Sequence, residues 1–247
     1  MAVIQCPPLS VARAQWSVDA AVERFDWREH TSPIQVRETG PRFAGGVGFS
    51  QPRESGPLLA YRGRVYFGNV DYDGSFLLDA AQPAQGVSTY LGTAQAAELR
   101  YRWPATLDAV AGLEYETWRR RLSASQREEY RILSLRLGAE RLPADASPWY
   151  ASGGIRFLLG TGEIATTPIG NAVYRLSFSP GRGTSPFVSL GRRVASRVML
   201  VGYWDSIRLG RSNQIAIGGS GNLVAYQPKS DMNLVGLRVV YQGLARH

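Results

Sequence analysis

Met232-Asn-Leu-Val-Gly-Leu-Arg-Val-Val-Tyr241 decides how this chain is read. Val235, Leu237, Val239 and Tyr241 form one alternate set, all apolar; Leu234, Gly236, Arg238 and Val240 form the other, with a glycine and an arginine in it. Successive side chains of a strand point to opposite faces, so this is a strand with one greasy face and one mixed face.

The same alternation recurs upstream. Gln15–Glu29 sets Trp16, Val18, Ala20 and Val22 against Ser17, Asp19, Ala21 and Glu23, and its phase becomes unclear near Arg24. A second strand runs through Arg42 to Phe49. A third sets Leu59, Tyr61, Val65 and Phe67 against Arg62 and Arg64. The fourth places Ala97, Leu99, Tyr101 and Trp103 opposite Glu98, Arg100 and Arg102. Leu107, Ala109, Ala111, Leu113 and Tyr115 oppose Glu114 and Glu116 in the fifth; Leu133, Leu135 and Leu137 oppose Arg136 and Glu140 in the sixth. Trp149–Leu159, Ser185–Val194 and Arg197–Leu209 are the seventh, eighth and ninth, and the quoted stretch is the tenth.

Charges between apolar neighbours have no place in a soluble core, but they fit the polar lumen of a barrel whose exterior meets lipid. The expected fold is therefore all-β: a single antiparallel up-and-down transmembrane β-barrel of about ten strands, with eight or twelve as alternatives. It occupies residues 15–243, with residues 1–14 a truncated signal peptide or a flexible tail. Ala12-Arg13-Ala14 has the small residues of a cleavage site but no apolar run before it.

The predicted inward set is Arg62, Arg64, Glu98, Arg100, Glu114, Glu116, Arg136, Glu140, Arg156 and Arg238. Opposite charges on neighbouring strands then satisfy one another and plug the lumen. Trp16, Tyr101, Trp103, Trp149 and Tyr241 suit interfacial girdles. Asp71–Val87, Gly160–Thr184 and Gly210–Asp231 read mainly as long loops, with Ala172–Ser179 able to extend strands into the second, so that long connections alternate with short turns.

A net charge of +8 first suggests nucleic acid, yet the arginines are spread through every strand, and no nucleic-acid partner is expected. One cysteine, Cys6, excludes an internal disulfide and a Cys-based zinc site. Asp71-Tyr-Asp-Gly-Ser75 holds a fragment of a calcium loop but lacks its glutamate at position twelve. No metal and no cofactor are expected.

Asn233, Gly236, Leu237, Val239 and Tyr241 resemble the C-terminal assembly signal of Gram-negative outer-membrane barrels, although five residues follow Tyr241. The resemblance implies that the last strand pairs with the first, and that the barrel-assembly machinery is a partner. Phe25-Asp-Trp-Arg-Glu29, Glu38-Thr-Gly-Pro41, Gly68-Asn-Val-Asp-Tyr-Asp-Gly74, Gly112-Leu-Glu-Tyr115 and Tyr203-Trp-Asp-Ser-Ile-Arg208 extend it over most of the chain. As a whole the chain resembles a group of small, porin-like Gram-negative outer-membrane β-barrels without an assigned activity. That implies the cell outer membrane and carries no active residues.

Glu29, Glu38, Asp71 and Asp73 are expected at the outer rim beside Arg28 and Arg37, where a charged rim would meet lipopolysaccharide phosphates. Ten-stranded outer-membrane proteases use aspartates and a histidine at the barrel mouth; here His30 is the available histidine and that family's motifs are missing. The expectation is a non-enzymatic barrel whose long outer loops bind a surface partner or stabilise the envelope. A narrow diffusion channel and an outer-membrane hydrolase are the alternatives, and the oligomeric state is open.

Overall fold

The computed structural model describes residues 15–51, 56–76, 79–102, 107–144, 147–169, 171–217 and 223–244. Residues 1–14 with Cys6, and Trp103 of the expected girdles, lie outside them.

The wall is built from β1 (Gln15–Glu29), β2 (Val36–Ser50), β3 (Gly56–Phe76), β4 (Asp79–Arg102), β5 (Leu107–Arg121), β6 (Arg127–Arg141) and β7 (Trp149–Ile169). It continues through β8 (Ala172–Phe178), β9 (Thr184–Ala195) and β10 (Val198–Leu209). A short hairpin, β11 (Ile215–Ile217) and β12 (Leu223–Ala225), precedes β13 (Ser230–Leu244). Each barrel strand pairs antiparallel with its neighbours in the order β1 to β7, then β9, β10 and β13. The last strand returns to the first along its full length, from Gln15↔Leu244 to Glu29↔Ser230. Ten strands close into a continuous ring of antiparallel ladders, so the wall pairs its backbone strand to strand, as lipid requires.

Below the level of Arg24 the exterior is apolar. Val22, Leu59, Phe67, Leu99 and Val235 are each more than half exposed, in one continuous belt around the wall. A water-soluble monomer rarely shows a patch beyond a few hundred Å². Trp16, Tyr101, Trp149 and Tyr241 face outward at the terminal end of the barrel, where β1 begins and β13 finishes, and Trp16 packs on Tyr241 at 5.8 Å between ring centroids. They form one girdle, on that rim. We predict a heat-dependent shift in electrophoretic mobility after refolding with detergent or lipid vesicles, and no folded monomer in plain buffer.

Two of the three segments expected as loops are largely strand, and the third carries only short strands among its described residues. Asp71–Val87 belongs to a tall hairpin in which β3 has 21 residues and β4 has 24. A membrane crossing needs roughly 9–11 residues, so about half of each strand stands beyond the belt. Within 160–184, β7 runs on to Ile169 and pairs through Glu163↔Phe178 with β8, while its first half pairs with β9. Gly210–Asp231 carries β11 and β12. The connection after β1 is only residues 30–35, so the projecting parts are ordered hairpins rather than long loops.

One irregularity sets a phase. Leu133 pairs with Gly160 and Ser134 with Leu158, leaving Leu159 as an extra residue in β7. A bulge of this kind turns the following side chains to the opposite face. Even-numbered residues up to Leu158 face the lumen; beyond the bulge Glu163, Ala165 and Thr167 are the buried ones.

Candidate functional site

The lumen is the site, and it has three levels. At the terminal end, Glu98 is bound by Arg62 and, at 2.8 Å, by Arg100, which also holds Glu140 at 2.9 Å. These side chains come from β3, β4 and β6, whose inward residues meet because each strand alternates strictly.

At mid-height Arg156 bridges two carboxylates, Glu114 at 2.8 Å and Asp205 at 2.8 Å, and Arg136 holds Glu114 at 2.9 Å. Across from them, Glu23 receives Arg42 at 3.1 Å, Arg64 and the Tyr203 hydroxyl. The Arg42 guanidinium lies over Phe25 at 4.7 Å and over Tyr66 at 4.2 Å, with no exposure. Tyr66 in turn donates to Glu116 at 2.7 Å. Only Nη2 of Arg42 hydrogen-bonds, to Glu23; its buried Nε and Nη1 lack hydrogen-bond partners, so the ion pair and the two ring faces compensate the desolvated charge.

At the far end Arg120 is the hub. It reaches Glu128 at 2.6 Å, Glu29 at 2.9 Å and Glu38 at 3.5 Å. Glu38 also accepts from Ser88 at 2.6 Å and from Tyr90; Glu29 accepts from Trp27 at 3.0 Å, and Glu128 from Tyr130 at 3.0 Å. Gln227, just before β13, reaches inward; with its amide nitrogen as donor it meets Glu163 at 3.2 Å.

Between the middle and far levels the lumen is filled by rings. Phe25, Trp27, Tyr66, Tyr90, Trp118 and Tyr130 are at most 3% exposed. Trp118 stacks on Tyr130 at 4.8 Å and Phe25 meets Tyr90 at 4.7 Å. Ile132, Leu158, Ile207, Leu209, Met232 and Leu234 complete the cluster. Beneath it lies a cavity of about 120 Å³ lined by Arg62, Glu98, Glu114, Arg136, Asp205 and Arg238 among others.

A search of solved structures finds the outer-membrane protease OmpT from Escherichia coli, at a TM-score of 0.57 and 7% identity, over 94% of this chain and 96% of that one. The chain has the outer-membrane β-barrel fold. The translocator domain of the autotransporter NalP from Neisseria meningitidis superposes more loosely, with a TM-score of 0.45 and 11% identity over 92% and 88% of the two chains. Neither a protein-family model nor a curated protein matches the sequence. A closed wall of this kind and a lipid-facing belt locate the barrel in the outer membrane.

Of the residues predicted inward, Arg62, Arg64, Glu98, Glu114, Glu116, Arg136, Glu140, Arg156 and Arg238 line the cavity, and Arg100 pairs with Glu98 and Glu140. Arg238 departs from expectation in one respect: it lies over the Tyr203 ring at 5.6 Å, and forms no ion pair with a carboxylate of the described residues. Sequence reasoning missed Glu23, Arg42, Arg120, Glu128, Glu163 and Asp205, together with the whole aromatic cluster. Their signal was present. Above Val22 the alternation continues without a break, but its polarity inverts: Phe25 and Trp27 turn in while Arg24, Asp26 and Arg28 turn out. Beyond the lipid the exterior faces water, and apolar side chains gain only from facing inward.

The same inversion corrects the expected rim. Glu29 and Glu38 are buried in the lumen, whereas Asp71 and Asp73 are exposed on the outer face of β3. His30 pairs with Asp231 at 2.7 Å. In register, Asp231, Arg28, Arg37 and Asp73 form one row across β13, β1, β2 and β3. At about 4.8 Å per strand, Asp231 and Asp73 stand roughly 14 Å apart with two arginines between them.

Gly236 of the assembly signal has a steric role. A Cβ there would lie 2.4 Å from the Tyr203 ring, which covers this position and donates to Glu23. Gly236→Val should displace the ring and destabilise the barrel by about 1–3 kcal/mol, as overpacking does. Urea titration of the mobility shift measures it, and Val235→Leu on the lipid face serves as the neutral comparison.

Proposed function

We propose that this protein is a non-enzymatic, non-conducting outer-membrane barrel, whose projecting hairpins bind a surface partner or stabilise the envelope. One observation carries the reading: the aromatic cluster from Phe25 to Tyr130 crosses the lumen as a solvent-excluded layer. Ions need a continuous polar path, and a packed apolar layer without room for water interrupts it. The seal is therefore aromatic, with the charge network as its support, rather than ionic throughout.

Planar-bilayer recording tests this. The native barrel should give no conductance steps, and Trp27→Ala combined with Trp118→Ala should give them. Wide-pore steps from the native protein would sink the proposal in favour of a diffusion channel. The hydrolase reading has the His30–Asp231 pair in its favour. It requires cleavage of a peptide substrate by refolded protein that His30→Ala abolishes; the expected result is no cleavage by either.

Two partners belong to this reading: the assembly machinery, which would engage β13, and the phosphate-bearing lipid of the outer leaflet. The apolar face of Val235, Leu237, Val239 and Tyr241 supports the first. The charged exterior above the belt supports the second.

A further inference from the structure

The outer face of β5 to β8 holds a concentration of one charge. Arg119 and Arg121 point outward from β5, Arg127 and Arg131 from β6, and Arg175 from β8, all exposed. Glu129 is the single carboxylate among them, at 3.4 Å from Arg119 and 3.5 Å from Arg127. Arg121, Arg131 and Arg175 form no ion pair with any described residue. The turn that joins these strands, Leu122-Ser-Ala-Ser-Gln126, adds no charge.

Register makes the crowding acute. Arg121 stands directly opposite Arg127, and Thr166, on the far side of Arg127, stands opposite Arg175. Like charges directly opposite across a ladder are destabilising, and here three arginines occupy one row of four strands. One row lower are Arg119 and Glu129; one lower still is Arg131, two residues above Leu133 of the lipid belt. At about 3.4 Å per residue and 4.8 Å per strand, the patch is roughly 14 Å high and 14 Å wide. It is continuous with Leu91 beside Arg119 and with Tyr115 and Leu133 beneath it, all three exposed apolar side chains.

From this we infer a binding site for the headgroup of a lipid carrying more than one phosphate, seated in the outer leaflet with its acyl chains against the belt. Guanidinium groups take phosphate oxygens in bidentate fashion, and a bridging phosphate converts the Arg121–Arg127 repulsion into two charge-assisted pairs. The site's depth selects a lipid. A soluble anion would gain nothing from Leu91, Tyr115 and Leu133. The inference rests on outer-leaflet lipid being a partner at all and locates where it binds.

The test uses the full chain refolded in phosphatidylcholine vesicles with and without diphosphorylated lipid A, scored by lipid A retained on the purified barrel. The triple variant Arg121→Gln/Arg127→Gln/Arg131→Gln should bind at least 10-fold more weakly, and binding to the native barrel should weaken as salt is raised. The control Arg28→Gln/Arg37→Gln removes charge from residues already held by Asp26, at 2.8 and 2.6 Å, and should bind like the native barrel. All variants are on the surface, and an unchanged mobility shift reports that they fold. Equal binding by the triple variant, or equal loss in the control, overturns this site while leaving lipid as a partner. Competition by inorganic phosphate at lipid-equivalent concentration overturns the lipid assignment. No lipid A retention by the native barrel removes the site and the partner together.

Discussion

Arg120→Met should destabilise the barrel by about 3–5 kcal/mol, the cost of leaving buried charges without their partner. Methionine keeps most of the stem's volume and removes the guanidinium that Glu29, Glu38 and Glu128 share. Arg120 is 2% exposed, so water cannot replace it. Denaturant midpoints from the mobility shift in lipid vesicles measure the loss. Adding Glu38→Gln and Glu128→Gln to the variant should restore part of it, because removing both sides of a buried interaction is far cheaper than removing one. Arg28→Met, at a side chain half exposed, should change stability by less than about 1 kcal/mol. If Arg120→Met unfolds at the native midpoint, the far level of the lumen is not held by its ion pairs.

The second large effect is on the opposite face of the same strand. Ala111 looks outward near the centre of the belt, with Leu99 beside it on β4 and Leu137 beside it on β6. Ala111→Arg should destabilise folding in a bilayer by about 2–4 kcal/mol, the cost of arginine near the midplane. Val173→Arg is the informative comparison. Val173 is 71% exposed on β8, above the belt, and a charge there meets water. It should be neutral within about 0.5 kcal/mol. Equal costs at the two positions would mean that the belt does not face lipid.

These two variants separate what could be read along the chain from what could not. Alternation is a local property: Leu107 to Tyr115 and Leu133 to Leu137 declare their faces with a period of two, whatever they pack against. Hence the ten strands, the lipid-facing belt, the direction of Arg62, Glu98, Glu114, Arg136 and Arg156, and the closing role of Met232–Tyr241 were all legible. Pattern reading lost its way where the solvent changed. Above the belt the same period persists with reversed polarity, so the stretch around Phe25 and Trp27 read as losing its phase when it lines the interior of a lumen. Asp71–Val87 suffered most, being rich in turn-forming residues yet held as strand by a long ladder between β3 and β4.

What the sequence determined by itself was the wall: strand periodicity, two-sided polarity and a last strand fit to meet the first, all set by neighbours two residues apart. Only the tertiary structure decided the partners across the lumen. Arg156 finds Asp205 49 residues away and Arg120 finds Glu29 91 residues away. Those meetings depend on the register of the strands around the ring, which no period in the chain encodes. The ring layer depends on register too: Trp118 stacks on Tyr130, its neighbour across the β5–β6 ladder, but Trp27 of β1 meets both edge-on only once the sheet has closed.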